Sequence, residues 1–289
     1  MANVKNINVP NRMMLSYFKI EEKAILIETT IDASVIIIDD YKISSDSAMV
    51  LPVKHLSNTY IISTPEYSNQ TYNYVQFAIA ALNKSTEVRI IFRFEPNLPL
   101  TVDGIEYQDG SEFVIVLNEF ETYQIRHNAD LSGTFIKASS IVAVFSGNRC
   151  AKIAFKNRND SGFCSHLVEQ IPPVDRLDNT YIAPPNINRH GTILKVVSPF
   201  KSRVTYHVGN KKTTVFLVPQ GYFEFSITEN QVAVIESERP VLFTSFAAGS
   251  DTSGDPYMIT IPGVTQYLNE YTVVTPSNFT SNYVALIID

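Results

Sequence analysis

Cys164-Ser165-His166-Leu167-Val168-Glu169-Gln170 is where residue types and spacing in this chain come nearest to covalent chemistry. A cysteine attacks as a thiolate, which needs a lowered pKa and an imidazole oriented against the sulfur. Cys164, His166 and Glu169 supply the residue types, but nearness along the chain does not supply that geometry. A disulfide or a packing role for Cys164 therefore outweighs a nucleophilic one. The only other cysteine is Cys150. A disulfide closing so short a loop would contribute roughly 3 kcal/mol through loop entropy. Two separate buried thiols are the alternative, and the residues alone leave both readings open. Two thiols are too few for structural zinc unless His166 and a further group join them.

Other candidate chemistry is thinner. Asp251-Thr252-Ser253-Gly254-Asp255-Pro256 presents oxygen ligands of the kind calcium takes. It lacks the length and closing Glu of an EF-hand loop and reads as a solvated hairpin loop. Gly254-Asp255-Pro256-Tyr257 is similar to the Gly-Asp-Pro-His self-cleavage site of von Willebrand type D domains. Tyr257 stands where that site has His, and the Cys-rich surroundings are absent, so self-cleavage is rejected. The histidines His55, His127, His166, His190 and His207 show no metal-like clustering, and no metal or cofactor is expected. There is no Walker loop, Rossmann glycine fingerprint, nucleophile elbow or His-Glu-x-x-His. Candidate N-glycosylation sequons begin at Asn69, Asn83, Asn159 and Asn278, about the number that an Asn- and Ser/Thr-rich chain produces by chance. Lys201, Arg203, Lys211 and Lys212 form the clearest basic stretch, spaced like a solvated sheet face followed by a hairpin turn.

The elements that must position these residues are strands. Short runs rich in β-branched and aromatic residues recur between polar turns: 24–28, 87–92, 113–117, 213–218 and 283–287. In Arg203-Val204-Thr205-Tyr206-His207-Val208 the even positions are apolar or aromatic, as on a half-buried sheet. Tyr74 to Leu82 has helix-compatible composition, but Val75, Phe77 and Ile79 alternate and predict a strand. Helical periodicity is nowhere sustained. With only 11 glycines, Asn, Asp and Ser must supply many of the turns.

A repeat organises the strands. Leu51-Pro52 leads to Asn58-Thr59-Tyr60, Ile171-Pro172 to Asn179-Thr180-Tyr181, and Ile261-Pro262 to Asn269-Glu270-Tyr271, each with an apolar strand upstream and a Pro downstream. Copies about a hundred residues apart predict an all-β fold of tandem repeated β-sandwich modules, with a β-propeller as the alternative. The expected division is 1–65, a truncated first repeat; 66–185, a second repeat with the cysteine pair; and 186–289, a third repeat with a terminal strand over 282–288. The short lead-in to the first repeat predicts either that the chain is part of a larger protein or that its end strand completes a sheet begun elsewhere.

Composition bounds the function. At 289 residues, 45% hydrophobic and 18% charged, the chain is long and apolar enough to bury sizeable cores. A net charge of -6 argues against nucleic-acid binding, which needs clustered Lys and Arg. No apolar run approaches the roughly 20 residues of a membrane-spanning helix. Met1 to Asn6 lacks the apolar core of a secretory signal, so either a cytosolic location or excision from a precursor is expected.

Two blocks carry a family resemblance. Asp130-Leu131-Ser132-Gly133-Thr134 precedes the strand Ile141 to Phe145, then Ser146-Gly147-Asn148-Arg149-Cys150; Cys164-Ser165-His166-Leu167-Val168-Glu169-Gln170 follows. This order of Ser-Gly-x-x-Cys and Cys-x-His-x-x-Glu-Gln resembles the N-terminal domain of the IgGFc-binding protein family, and Tyr181 with Pro184 matches its Tyr-x-x-Pro. Pro240-Val241 and the segment from Asp255 to Pro262 are similar to later parts of the pattern, so the likeness covers about residues 12–276. It departs where the family has an aromatic-Gly pair and this chain has Leu177-Asp178-Asn179. The resemblance implies a secreted, non-enzymatic extracellular module of mucus or matrix, recognising glycoproteins such as immunoglobulin Fc or mucins. It also implies an oxidising compartment, and hence a Cys150–Cys164 disulfide. It assigns no binding residue. A lectin-like glycan module and, further off, an enzyme using Cys164, His166 and Glu169 are the competing readings. With 15 tyrosines and no tryptophan, Tyr and Arg are the expected interface anchors on a broad surface.

Overall fold

Alternation along the chain becomes two β-sandwiches in the computed structural model, which describes residues 4–41, 44–65, 74–153, 155, 164–186, 189, 191–249, 254–271, 273, 282 and 284–288. Strand β1 (Ile20–Glu22) is followed by the hairpin β2 (Ile36–Tyr41) and β3 (Ser44–Met49), then β4 (Ser57–Ile61). The first sandwich adds β5 (Val75–Ala81), β6 (Thr86–Ile91), a small hairpin β7 (Leu100–Val102) and β8 (Ile105–Tyr107), β9 (Glu112–Leu117), β10 (Glu121–His127), β11 (Phe135–Ala151) and β12 (Ser165–Gln170). The second runs through β13 (Asp178–Ala183), β14 (Thr192–Val197), β15 (Ser202–Val208), β16 (Lys211–Leu217), β17 (Tyr222–Ile227), β18 (Ala233–Ala247) and β19 (Tyr257–Thr260).

Each sandwich is folded around one long strand that serves both of its sheets. The N-terminal part of β11 pairs with β4 and β6, with β9 beyond β6, while its C-terminal part pairs with β5 and β12, with β10 and β1 beyond β5. In the second sandwich β18 does the same, joining β13, β15 and β16 at one end to β14, β17 and β19 at the other. Ladders break at the midpoint of both long strands, where β4 shifts register between Lys137 and Val142 and β13 between Asp178 and Thr180. Such irregularities let one strand turn a corner between packed sheets. Pairing thus crosses positions 65 and 185, because β4 and β13 each hand themselves to the sandwich that follows.

The three sequence copies have a common local structure. A 3-10 turn occupies Val53–His55, Val174–Arg176 and Val264–Gln266, and the hydroxyl of a tyrosine following the turn accepts a backbone N–H in each copy. The bonds are Ser57 N to Tyr60 Oη (3.0 Å), Asp178 N to Tyr181 Oη (2.7 Å) and Leu268 N to Tyr271 Oη (2.7 Å). Tyr60 and Tyr181 donate onward to the carbonyls of Val142 (2.6 Å) and Val241 (2.5 Å), pinning each incoming strand to the corner of the long one. This satisfies buried backbone groups where the ladder is interrupted.

Strand β5 is a strand as the alternation predicts, with Val75, Phe77, Ile79 and Ala81 buried and their neighbours part-exposed. Two expected strands do not form. The run at 24–28 and the described part of the terminal strand expected over 282–288 have strand-like composition but no ladder among the described residues, and Ile25, Leu26, Leu286 and Ile288 are exposed. A strand is completed by its neighbour's hydrogen bonds, which composition alone does not provide.

The sandwiches share a continuous apolar seam. Val197, Leu242 and Phe246 of the second pack into the core that contains Ile62, Leu131 and Val144 of the first. Gly133 sits in the left-handed region at φ 89°, and a Cβ there would lie 2.2 Å from the carbonyl oxygen of Gln220 across the seam. Among the described residues no helix is long and apolar enough to cross a membrane.

Candidate functional site

The cysteine-flanked block is built as structure. A disulfide joins Cys150 to Cys164, tying the end of β11 to the start of β12. Gly147 lets these strands close up, since a Cβ there would meet the Leu167 carbonyl oxygen at 1.8 Å. Ser146 Oγ donates to the Ser63 carbonyl (2.5 Å), so the Ser-Gly pair anchors the strand on both sides. His166 hydrogen-bonds the Asp39 carboxylate through Nδ1, and its Nε2 meets Gln76 Nε2 at 3.0 Å, so both ring nitrogens are engaged elsewhere while Cys164 is spent in the disulfide. Burial, reinforced by the charge of Asp46, pushes Glu169 up to about 8, and burial pushes Asp46 up to about 6. Asp46 accepts backbone N–H groups of Ser47 (2.9 Å) and Val168 (3.1 Å), fixing the β2–β3 hairpin against β12. Cys164, His166 and Glu169 therefore do not converge on a nucleophile.

A second locus is aromatic. Registers equate β6 with β15, since Thr86 and Ser202 face Leu117 and Leu217 respectively. On that correspondence Ile90 matches Tyr206, and the turns at Phe120 and Gln220, both with positive φ, match Tyr123 to Phe223 and Ile125 to Phe225. In the first sandwich this end is closed: Leu100 and Val102 of the β7–β8 hairpin are buried, and Tyr107 packs edge-on against Phe92 and Phe113. In the second, Gly209 and Asn210 make a tight turn with no inserted hairpin. Tyr206 stacks on Phe225 at 4.2 Å and on Phe223 at 5.6 Å, all three half-buried. Phe216, on the opposite face of β16, is 76% exposed. An open aromatic end of this kind suits contact with another surface.

The third locus lies at the seam. Lys195 is the one charged residue in Ile193-Leu194-Lys195-Val196-Val197 and its side chain is fully buried. Its Nζ contacts Asp130 Oδ2 (2.6 Å), the Thr64 carbonyl (2.6 Å) and Ser132 Oγ (3.0 Å), all from the first sandwich. Glu224, directly opposite it on β17, brings Oε1 to 2.8 Å. Burial alone would depress the Lys195 pKa, but the Asp130 and Glu224 carboxylates together raise it. Tyr222 donates to Asp130, and its own pKa is raised, first by burial and then by that carboxylate. A cleft of about 280 Å³ opens beside the network, lined by Glu95, Leu98, Asp130, Tyr222 and Glu224. Sequence reasoning missed this network because Lys195 and Asp130 are 65 residues apart; the signal was a lone lysine inside an apolar strand.

The remaining expected residues scatter. Asn83 is exposed in the β5–β6 turn, where a glycan would meet no obstruction from the core; Asn69, Asn159 and Asn278 lie outside the described residues, as do His190 and Asp251 to Ser253. Asp255 accepts the Ser45 N–H at 3.2 Å. His127 is buried and stacked on Phe94 at 4.9 Å, and His207 lies 3.6 Å from Glu236. Among the described residues no three His, Cys, Asp or Glu side chains gather as metal ligands. Arg203 pairs with Glu238 at 2.9 Å, and Lys211 and Lys212 are exposed at the hairpin turn, as expected of a solvated face.

Comparison with known proteins bears on these loci. The family described as IgGFc binding protein matches residues 46–289. A curated human protein, the IgGFc-binding protein of Homo sapiens, is 25% identical over 271 residues, covering 92% of this chain and 5% of its own length. The chain thus spans a small fraction of that relative. Among solved structures, red sea bream transglutaminase covers 80% of this chain and 31% of its own, with 9% identity and a TM-score of 0.12, a likeness that carries no argument.

Proposed function

The chain belongs to the IgGFc binding protein family, and from that premise we propose that it is a non-enzymatic extracellular module that recognises glycoproteins of mucus or matrix. The observation that carries the surface assignment is the contrast between the two sandwiches: one end is closed by a hairpin, while its counterpart leaves Tyr206, Phe223 and Phe225 half-open. Rigid aromatic area of this type anchors protein interfaces at low entropic cost. The human relative's name supports immunoglobulin Fc as the first partner to test, with mucins second. Secretion is supported by the disulfide between Cys150 and Cys164, since such bonds persist in oxidising compartments. The same disulfide supports the non-enzymatic reading, because it occupies the only cysteine beside a histidine. Residues 1–65, 66–185 and 186–289 are taken as the sequence repeats from which the module is assembled.

A glycan-binding reading is favoured by one feature, the near-parallel stacking of Tyr206 on Phe225 at 19°, which resembles a platform for a sugar ring. Binding to immobilised Fc, mucins and defined glycans separates the two. The proposal expects retention on Fc or mucin and its loss in Tyr206→Ala/Phe223→Ala with the circular dichroism spectrum unchanged. Retention on deglycosylated mucin or Fc favours the protein surface, and loss on deglycosylation favours the glycan. Tight binding of one small metabolite, with none of the macromolecules retained, overturns both.

A further inference from the structure

We propose that Lys195 and Asp130 condense to an intramolecular isopeptide bond that staples the two sandwiches covalently. Four observations converge on these atoms. The amine and the carboxylate are in contact at 2.6 Å, with the lysine side chain fully buried and the aspartate nearly so. A second carboxylate, Glu224, brings its buried Oε1 to 2.8 Å from the same Nζ, within reach of a proton on that nitrogen. The other oxygen of Asp130, Oδ1, accepts from Thr64 Oγ1 (2.7 Å), Ser132 N (2.9 Å) and Ser132 Oγ (2.6 Å). The rings of Tyr222 and Phe246, centred 5.0 and 5.7 Å from Nζ, wall the site with apolar surface.

The chemistry follows from that placement. The two carboxylates hold Lys195 as the ammonium at rest, so the reactive neutral pair is a minor state reached by transfer of one proton from the ammonium to Asp130 Oδ2 across the 2.6 Å contact. The amine lone pair then attacks Cγ, and negative charge develops on Oδ1, where three donors already point, as in an oxyanion hole. Glu224 takes a second proton from the nitrogen and delivers it to Oδ2. The Cγ–Oδ2 bond breaks and Oδ2 leaves as water. One N–C bond forms, one C–O bond breaks, the ammonium's three protons end as two in water and one on the amide, and Glu224 is regenerated. No oxidant or cofactor takes part. Holding the two groups in contact replaces a bimolecular encounter by an effective concentration of about 10⁵–10⁸ M, and the adjoining cleft lined by Asp130 and Glu224 gives the released water a way out.

The consequence would be mechanical. The bond would join β14 of the second sandwich to the loop after β10 of the first, so the seam would hold under force or proteolysis that opens a noncovalent interface. Intact mass of the purified full chain, denatured and reduced, tests it directly. The expected mass is 18 Da below that of the sequence, with a tryptic digest containing one branched peptide that links the Asp130 and Lys195 segments. Glu224→Gln should retain the fold by circular dichroism and recover the full mass. Lys195→Met should also recover it, and Lys195→Arg provides a second variant that keeps the charge if methionine disturbs folding. Folded wild-type protein at the full unlinked mass after prolonged incubation at pH 6–8 overturns the proposal, as does an 18 Da loss without the branched peptide. Undiminished linkage in Glu224→Gln overturns the role given to Glu224.

Discussion

Tyr181→Phe isolates the hydroxyl that fixes β13 at the corner of β18. The ring is retained, at 2% exposure and stacked edge-on against Phe243 at 5.6 Å, so packing is preserved. What is lost are two bonds, one from the Asp178 N–H (2.7 Å) and one to the Val241 carbonyl (2.5 Å). Each buried backbone group left unsatisfied costs about 1–3 kcal/mol, partly offset because the phenol itself no longer has to be desolvated. The expected destabilisation is about 2–4 kcal/mol. Tyr271→Phe is the matched control: its hydroxyl makes the same local bond from Leu268, but the side chain is 61% exposed and water can replace it. There the change should stay within about 0.5 kcal/mol. The chain has no tryptophan, so far-ultraviolet circular dichroism in urea is the suitable readout. At a slope of about 3 kcal/mol/M, Tyr181→Phe should lower the midpoint by about 1 M and Tyr271→Phe should barely move it. Equal midpoints for the two variants, or a Tyr181→Phe midpoint at the wild-type value, would refute the assignment of the hydroxyl as a corner pin.

Three further outcomes are expected. Glu169 and Asp46 are raised to about 8 and about 6, so the folded chain holds protons that the unfolded chain releases near its ordinary carboxylate range. Their contribution is fully present below that range and is lost as pH rises through about 6 and then about 8. Thermal midpoints should therefore fall between pH 5 and 9, and Glu169→Gln should flatten that fall; a wild-type profile that rises with pH would contradict it. Reducing the Cys150–Cys164 disulfide, which closes a separation of 14 residues, should cost up to about 3 kcal/mol in urea without unfolding the chain, and Cys150→Ser should match it. Gly147→Ala drives a methyl into the Leu167 carbonyl and should destabilise more than Gly110→Ala, whose site has open space, although φ 79° strains the latter too. Comparable melting curves for the two glycine variants would sink the close-packing argument.

Much of the architecture was legible along the chain because a strand buried on one face announces itself locally. The Val75, Phe77 and Ile79 alternation is strong enough to override a helix-compatible composition, and the Pro-to-Tyr repeat marks places where a 3-10 turn and a tyrosine recur. The cysteine pair was within reach through the family pattern. The binding-face candidate was only half visible: Tyr206, Phe223 and Phe225 read as inward strand positions, and nothing local says that their counterparts lie beneath a hairpin while they do not. The runs at 24–28 and within 282–288 show the same limit from the other side, since their residues suit a strand but no ladder forms around them among the described residues. Lys195 shows it most sharply. Side-chain periodicity reports which face of an element is buried, a property of a few neighbouring residues. Which groups meet on that face depends on how β14, β17 and the loop after β10 are brought together from distant parts of the chain, and there the tertiary structure alone put an amine against two carboxylates.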